Sequence, residues 1–547
     1  MKKGLLILLW STCFTSYAQL RLVKNHDGTT SSKAVPRVVV NNRLVYTATE
    51  DFRDYPFFTD GTTDNSTNIT DATSGLVATT TGTAFSYAIL NGEVHFLAND
   101  TSTTTGSFNL ITKAGFNTTV CQAYGNLSTF TGVALSQMSK QVVLNTKILF
   151  VPNTVASNNT TGIELYQSNG SAISLVKDIN PTANTSSQPA ELTVLNAACF
   201  FTANDGSGKK LWKTDGTLTG TVPYIDLNTN TTIANPSGLE VFGTDLVYAA
   251  SPNQVTGNEL YKTDGAGNVT LIKDMRTTAL ASSNPQGMTA LGNWVYFSAD
   301  NGVTGRELWR TNGTTAGTQL IKDINANGGG GGQPTLNSNP SDFMQVGTTV
   351  YFTANDGLHG TELWKTSGSD FGTVMVKDIT LGTDSTLISD MTEYNGKLYF
   401  TASNVIDFQT HLWVTDGTAA GTTKITINPT GNSEVSNLLV YNNDLYFGAD
   451  QGTGMGKELY AFHTTSLGTE PFTTVENKVL LFPNPAHEGF EVQATDPIQN
   501  VEIYSLQGQR VKTFGKQPYY NVADLAKGVY FVKCVGTTTH YQKWSKE

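Results

Sequence analysis

Cysteine is scarce in this sequence. Only four cysteines occur among 547 residues, and the first of them, Cys13, stands close to the N-terminus. Cys121, Cys199 and Cys534 are too few and too far apart for a disulfide framework, and no pair has the Cys-x-x-Cys spacing of a zinc or redox site. We therefore expect these three residues to be buried as small apolar side chains.

The common catalytic motifs are also absent. The sequence contains no Gly-x-Ser-x-Gly, no His-Glu-x-x-His and no complete phosphate loop. Residues 206–210 (GSGKK) imitate the end of a phosphate loop, but no glycine stands five residues before Gly208, so we interpret them as a hairpin loop. His359 and His411 stand just ahead of predicted strands, and we interpret them as solvated loop residues. The familiar hydrolase, zinc-peptidase and nucleotide-binding classes therefore lack sequence support.

Long apolar runs and helix-forming runs are missing as well. No stretch of eighteen apolar residues occurs, which predicts that the chain has no transmembrane helix. Only 14% of the residues are charged, while Thr, Asn and Gly are abundant. This composition predicts nearly all-β structure.

The N-terminus has the features of a secretory signal peptide. Lys2 and Lys3 precede a short apolar run, and small residues follow it, which predicts a signal peptide over residues 1–18 with cleavage between Ala18 and Gln19. A lipoprotein signal would instead place the lipid on Cys13, but the residues before Cys13 are a poor approach to such a site. The mature chain is thus expected to begin at Gln19.

One pattern recurs along residues 19–463. An aromatic residue after Glu-Leu or a related pair returns at intervals of 46 to 55 residues, at Tyr166, Trp212, Tyr261, Trp309, Trp364, Trp413 and Tyr460. Two weaker copies precede these, in residues 43–70 and 93–115, so we count nine units. The sequence indicates repeated packing modules.

Each unit reads as a four-stranded antiparallel meander. Turn pairs at Asn91-Gly92, Asp215-Gly216, Asn395-Gly396 and Asp416-Gly417 supply the positive-φ residues that two-residue hairpin turns require. A single sheet of this size would leave an apolar face exposed to water, so the sheets must pack on one another. The fold predicted is a large β-propeller of eight or nine blades.

Two features of the repeat make specific predictions. Pairs such as Tyr296-Phe297 should place one aromatic ring on each face of a sheet that is sandwiched between two blades. The ninth unit offers only three strands, whereas residues 20–24 near the N-terminus resemble a fourth strand. We therefore expect Leu20 to Lys24 to complete the last blade and fasten the ring.

The sequence pattern ELWxTDGTxxGTxLIKDI is similar to the ELWxxDGT repeat of secreted bacterial surface proteins. The similarity covers roughly 400 residues and is sharpest at Trp212, Trp309, Trp364 and Trp413. It implies an extracellular, propeller-like repeat protein and no particular ligand.

A different pattern follows a predicted linker over residues 464–476. Residues 477–547 contain short alternating apolar runs broken by glycines, which predict a small immunoglobulin-like β-sandwich. They resemble the type A sorting domain of the type IX secretion system at Pro483, Asn484 and Pro485, at Gly508 within residues 502–509, and at Gly528 within residues 525–533. The resemblance implies that type IX machinery is a partner and that the chain is exported through the periplasm to the outer surface or the medium. Ser505 and the ending QKWSKE depart from the family pattern.

The charge distribution excludes some partners. The formal net charge is −11, and because the termini are mildly basic, the repeats carry about −14. An acidic ring argues against nucleic acid and anionic membranes as partners and is compatible with cations and neutral glycans.

Several polar residues recur within the repeat. Asp205, Asp300, Asp356 and Asp450 follow predicted second strands, and their oxygens could bind calcium, but the loops lack the three alternating acids of a full calcium loop. Capping of turns explains the same recurrence, as it does for Asp215, Asp264 and Asp416, so no cofactor is predicted and calcium stays an alternative. We expect the repeated Trp to anchor neighbouring blades; the alternative is an exposed aromatic row that stacks on sugar rings.

Three functions remain open. The leading hypothesis is a secreted surface protein that binds a glycan or protein ligand through repeated loops, because the chain has an export signal and no catalytic constellation. The alternative is a polysaccharide-active glycosidase or lyase with acids in the channel, for which Glu50, Asp51 and Asp407 are irregular insertions. A purely structural spacer is the third.

Overall fold

The computed structural model divides the chain into two units, Met1–Thr464 and Thr465–Glu547. The residues that it describes are 18–26, 31–50, 53–63, 65–68, 87–100, 107–113, 121–126, 141–152, 161–251, 257–278, 280–326, 337–405, 408–464, 479–484, 487–494, 497–505, 509–536 and 539–546. Among these residues there is no helix with the length and hydropathy needed to cross a bilayer.

Unit one consists of antiparallel sheets in which consecutive strands are neighbours. The N-terminal strand is β1 (Ala18–Lys24). The first four blades are β2 (Val35–Val40), β3 (Arg43–Glu50), β4 (Arg53–Thr59) and β5 (Ser66–Asn68); β6 (Tyr87–Leu90), β7 (Glu93–Asp100), β8 (Ser107–Lys113) and β9 (Cys121–Asn126); β10 (Val142–Leu144), β11 (Lys147–Phe150), β12 (Leu165–Ser168) and β13 (Ile173–Lys177); and β14 (Ala190–Leu195), β15 (Ala198–Asn204), β16 (Lys209–Thr214) and β17 (Val222–Pro223).

A small hairpin follows blade four, formed by β18 (Ile225–Asp226) and β19 (Thr231–Thr232). Blades five to eight are β20 (Ser237–Phe242), β21 (Asp245–Ala250), β22 (Glu259–Thr263) and β23 (Val269–Lys273); β24 (Gln286–Leu291), β25 (Trp294–Asp300), β26 (Arg306–Thr311) and β27 (Gln319–Lys322); β28 (Ser341–Val346), β29 (Thr349–Asn355), β30 (Thr361–Thr366) and β31 (Val374–Lys377); and β32 (Thr386–Tyr394), β33 (Lys397–Asn404), β34 (His411–Thr415) and β35 (Thr423–Ile425). The last blade contains β36 (Ser436–Tyr441), β37 (Asp444–Asp450) and β38 (Lys457–Thr464).

The blades form a closed ring. The first strand of each blade from β6 onward contacts the first strand of the next blade, and β36 of the last blade contacts β2 of the first. Blades one and two are joined where the Asn41 side-chain amide donates to the Gly92 carbonyl at 2.7 Å. The described residues thus form a β-propeller of nine four-stranded blades, which is the larger of the two predicted numbers.

The N-terminal strand supplies the fourth strand of the last blade, as predicted. β1 pairs with β38 in an antiparallel register that places Leu20 opposite Phe462 and Leu22 opposite Tyr460. Arg21 reinforces this seam, because its guanidinium contacts the Asp444 carboxylate at 3.2 Å. The two ends of the repeat region are therefore joined in one sheet.

The hydrophobic core is divided among the blade interfaces. Tyr296 packs with Phe352 and Trp364 on one side of blade six, and Phe297 packs with Val247 and Leu260 on the other. The prediction of one aromatic ring on each face is therefore confirmed here. Cys199 and Cys534 are buried and free, as predicted, whereas the side chain of Cys121 lies outside the described residues.

The predicted turns are of two kinds. Asn91-Gly92 and Asn395-Gly396 have positive φ at both residues and connect first to second strands as two-residue turns. The prediction was wrong for Asp215-Gly216 and Asp416-Gly417, which open longer loops; the first pair across one of them is Lys213 with Val222. The Asp215 carboxylate accepts a hydrogen bond from the Thr217 amide at 2.9 Å, which shapes the loop locally.

Unit two is the predicted small β-sandwich. Its strands are β39 (Val479–Phe482), β40 (Gly489–Ala494), β41 (Ile498–Ser505), β42 (Arg510–Gly515), β43 (Tyr520–Asn521), β44 (Gly528–Gly536) and β45 (Thr539–Lys546). They form a three-stranded sheet, β39-β40-β43, and a four-stranded sheet, β42-β41-β44-β45. Phe490, Val501 and Trp544 are fully buried in the core of this unit.

Candidate functional site

The glutamate of the Glu-Leu-aromatic pattern is a buried link between consecutive blades. Glu307 accepts hydrogen bonds from the Ile324 amide at 2.8 Å and from the Ser338 amide and hydroxyl at 3.1 and 2.5 Å. Ile324 follows the last strand of blade six, and Ser338 precedes the first strand of blade seven. One carboxylate thus fixes the path of the chain from one blade to the next.

We call this arrangement the carboxylate clamp, and it recurs around the ring. The pairs of a buried glutamate and a hydroxyl residue ahead of or at the start of the next blade are Glu164 with Ser187, Glu259 with Ser283, Glu307 with Ser338, Glu362 with Thr386 and Glu458 with Ser32. The last pair joins blade nine to blade one. Sequence reasoning missed this role because it took the aromatic residue as the anchor; the signal was the glutamate that stands two residues before it in five of the seven well-matched units.

Burial changes the acidity of these carboxyl groups. Desolvation raises the pKa of Glu307 and of Glu362 to about 7, although the hydrogen bonds from Ser338 and Thr386 act in the opposite direction. The pKa values of Glu164 and Glu259 are raised for the same reason.

Two of the well-matched units depart from the clamp. In blade four, Lys210 takes the glutamate position, and backbone bonds replace the clamp: the Leu211 amide donates to the Ile233 carbonyl at 3.0 Å. Lys210 turns to Asp205, at 2.7 Å. The hairpin loop predicted for residues 206–210 is shorter than predicted. It ends at Gly208, because Lys209 and Lys210 already belong to β16.

In blade eight, His411 takes the glutamate position. Its Nδ1 lies 3.1 Å from the hydroxyl of Ser433, the residue that precedes blade nine. His411 is half-buried and opens β34, so its interpretation as a solvated loop residue was wrong. His359 does lie in a loop, where its Nδ1 is 2.8 Å from the Asp356 carboxylate.

A cavity of about 320 Å³ opens where blade eight faces the end of blade seven. It is lined by Ile379, Thr380, Ala402, Ser403, Asn404, Gln409, His411, Trp413 and Lys424. We call it the blade-eight cavity. Its volume lies near the lower end of the range of about 300–1,000 Å³ for small-ligand sites.

Trp413 differs in burial from the three other tryptophans at this position of the repeat. Trp212, Trp309 and Trp364 are only 3%, 5% and 6% exposed, so the predicted anchor role is confirmed for them. Trp413 is half-buried and lines the blade-eight cavity. It stacks on Phe400 at a centroid distance of 6.4 Å.

The residue paired with this aromatic also differs in blade eight. The corresponding partners in other blades are apolar and half-buried, namely Leu175, Leu271, Leu320 and Met375. Lys424 pairs with Trp413 and is exposed. Blade eight therefore has a basic side chain where the repeat has an apolar one.

The aspartates considered for calcium cap turns. Asp205 Oδ1 accepts from the Ser207 amide, Asp300 Oδ1 from Gly302, Asp356 Oδ1 from Leu358 and Asp450 Oδ1 from Gly452, at 2.7 to 3.0 Å. Across the described ranges, no group of three or more His, Cys, Asp or Glu side chains is placed to hold a metal ion. Calcium binding stays an untested alternative to the turn-capping role.

The acids considered for catalysis are only partly described. The Glu50 carboxylate lies 2.6 Å from His26 Nδ1, and His26 Nε2 lies 2.8 Å from the Tyr46 hydroxyl. These residues lie near the junction between blade nine and blade one. Asp51 and Asp407 lie outside the described residues. Of these three candidate acids, the structure describes Glu50 alone.

The residues predicted for export lie at both ends of the chain. Ala18 and Gln19 begin β1, opposite Thr464 and His463. In unit two, Pro483 follows a cis peptide bond, Asn484 Oδ1 accepts from the Ser545 amide at 3.0 Å, and Gly528 begins β44. Pro485 and Gly508 lie outside the described residues.

The solved structures similar to this chain include a β-propeller domain and several peptidases. The β-propeller domain of the Trilobed protease from Pyrococcus furiosus has 8% identity and a TM-score of 0.32, covering 70% of this chain and 96% of that one. The Pyrococcus horikoshii acylaminoacyl peptidase has 11% identity and a TM-score of 0.34, covering 78% and 59%. The Leishmania major Oligopeptidase B has 10% identity and a TM-score of 0.35, covering 70% and 55%. The match thus spans a little over half the length of the two peptidases.

The sequence comparisons identify the C-terminal unit. No curated protein matches the chain significantly. Residues 480–546 match the family described as Secretion system C-terminal sorting domain, and they include nearly all of the strands of unit two. The chain therefore ends in a secretion-system C-terminal sorting domain, the type IX signal for export to the cell surface or beyond.

Proposed function

We propose that the chain is an exported binding protein whose propeller captures a saccharide or protein ligand outside the cell, with the blade-eight cavity as the ligand site. The sorting domain supports the location, since it implies handling by the type IX machinery. The cavity supports the binding role.

The observation that carries the proposal is the local break in the repeat. A repeat that serves only to build a ring has no need to vary at its blade interfaces, because each interface solves the same packing problem. In blade eight the clamp glutamate is replaced by His411, the apolar partner by Lys424, and the tryptophan is left half-buried beside a cavity. A few convergent polar groups around an aromatic side chain are typical of small-ligand sites.

The experiment is retention of the full chain on immobilised ligands. The purified chain is passed over a panel of polysaccharides and extracellular matrix proteins, and bound and free protein are measured alongside a Trp413→Ala variant. We expect saturable retention on at least one surface and weaker retention of the variant, with no cleavage of the ligand.

The matched control lies at the opposite end of blade eight. Lys397 opens β33 and lies outside the cavity lining, so the Lys397→Met variant should bind like the unaltered chain. Failure of the unaltered chain to bind any surface, or equal retention of the Trp413→Ala variant, would contradict the proposal.

A further inference from the structure

The two substitutions that break the repeat in blade eight change its charge in the same direction. His411 replaces a carboxylate that is Glu362 in blade seven and Glu458 in blade nine. Lys424 replaces an apolar residue that is Met375 in blade seven. Both side chains line the same cavity, so relative to its neighbours the site has lost a carboxyl group and gained a cation.

The lining of the cavity contains no acidic residue among the described side chains. The clamp carboxylate of blade seven, Glu362, is buried, accepts hydrogen bonds from the Ile379 and Thr380 amides, and is not part of the cavity lining. A second lysine is close by: Lys377 Nζ lies 5.9 Å from the centroid of the Trp413 ring and donates to the Thr422 carbonyl at 2.8 Å. The repeats as a whole are acidic, whereas the described lining of this cavity contains a lysine and no acidic residue.

The remaining lining suits a sugar. Trp413 offers an aromatic edge or face for the C–H groups of a pyranose ring, while the Asn404 and Gln409 amides and the Thr380 and Ser403 hydroxyls can exchange hydrogen bonds with sugar hydroxyls. Beside Gln409, Phe408 is 63% exposed and has a φ of 53°, which is uncommon for an aromatic residue. Phe408 thus exposes an aromatic ring in the same loop as the lining residue Gln409.

We infer that the blade-eight cavity binds an acidic sugar residue of a polysaccharide, with Lys424 and His411 facing its anionic group and Trp413 contacting its ring. The inference rests on the proposed function and narrows its ligand to saccharides that carry a carboxylate or a sulfate. Charge-assisted hydrogen bonds from Lys424 supply the selectivity over neutral sugars. The acidic ring as a whole repels an anionic ligand, so such a ligand can bind only where nearby side chains are basic, as at this cavity.

Isothermal titration of the full chain tests the inference. The probes are tetragalacturonate as the carboxylate, a chondroitin sulfate tetrasaccharide as the sulfated sugar and cellotetraose as the neutral sugar. We expect at least one acidic probe to bind about tenfold or more tightly than cellotetraose, since hydrogen bonds to charged groups are worth more than neutral ones. The acidic probe that binds identifies whether carboxylate or sulfate is the recognised group.

Variants that restore the residues of the repeat test directly whether Lys424 and His411 bind the acidic sugar. Lys424→Met and His411→Glu introduce residues that sibling blades already carry at these positions, so folding should be retained and is checked by thermal unfolding. Each should weaken binding of the acidic probe by about tenfold or more, whereas Lys397→Met, which removes the same charge at the other end of blade eight, should not.

The outcomes separate this inference from the proposed function. Equal binding of cellotetraose and the acidic probes, with loss in Trp413→Ala, would overturn the acidic-sugar inference and leave the binding role intact. Unchanged binding of acidic probes by Lys424→Met and His411→Glu would overturn the assignment of the cavity. Absence of binding by all three probes would overturn the inference, while retention on another surface would still support the proposed function.

Discussion

The residue with the widest structural role is the buried glutamate of the clamp. It accepts hydrogen bonds from a backbone amide and a hydroxyl across a blade junction, and in blade nine it does so with Ser32 to close the ring. A buried carboxylate is costly unless its oxygens are satisfied, and here each clamp provides several donors. The repeat is therefore constrained by hydrogen bonding as well as by aromatic packing.

The raised pKa of these carboxyl groups predicts a pH dependence of stability. The pKa of Glu307 is about 7 in the folded protein and has an ordinary value of 4.5, so the folded chain holds this proton more tightly than the unfolded chain. Its contribution to the free energy of unfolding is full below pH 4.5 and is lost as the pH rises through 7. We expect chemical denaturation to show a fall in stability between pH 4.5 and about pH 7 that is smaller in Glu307→Gln.

The difference between the two proteins isolates this group, because other titrating residues are common to both. Parallel stability curves for the unaltered chain and Glu307→Gln over this range would show that Glu307 does not titrate there.

The buried and half-buried tryptophans predict unequal costs of truncation. Trp309→Ala removes a ring that is 5% exposed and packs between blades five and six, so it should lower the free energy of unfolding by about 3–5 kcal/mol. Trp413→Ala should cost clearly less, because part of its ring is already solvated. Urea denaturation of both variants measures the difference, and equal costs would contradict the special position of Trp413.

Among the strands, β38 takes part in both contacts that join the ends of the repeat region: it pairs with β1, and its Glu458 accepts hydrogen bonds from Ser32, ahead of β2. In Glu458→Gln, an amide NH₂ would face the Ser32 amide or hydroxyl whose hydrogen bonds the carboxylate now accepts, which should cost about 1–3 kcal/mol. Glu434→Gln, at an exposed position just ahead of β36 in the same blade, is the control. Hydrogen exchange should show faster exchange of the Ser32 amide, which donates to Glu458, in the first variant only; unchanged protection would argue against the clamp as the fastener.

The elements themselves were largely predictable from the sequence. The repeat period, the turn residues and the aromatic pairs predicted the four-stranded blades. The ninth unit had only three predicted strands, and this predicted the pairing of Leu20 to Lys24 with the last blade. The site was not predictable in the same way. His411 was taken for a loop residue, because only the structure shows that this position holds the clamp and that Lys424 lies across from Trp413 on an adjacent strand.

In the molecule as a whole, the export signal and the propeller are separate units of one chain. Removal of residues 480–546 should leave the propeller folded, since each unit has its own core. We expect the truncated chain to accumulate inside the producing cell envelope, while the full chain reaches the surface or the medium. Fractionation followed by immunoblotting measures this, and normal export of the truncated chain would contradict the sorting role.

The nine-bladed ring, closed by its own N-terminal strand, and the ligand site proposed beside Trp413 in blade eight can be tested together. The experiment is a crystal structure of the exported chain grown with tetragalacturonate or chondroitin sulfate. We expect nine blades, residues 20–24 as the outer strand of the last blade, and sugar density between Trp413 and Lys424. An open arc of blades, or sugar density only at another place, would contradict this description of the molecule.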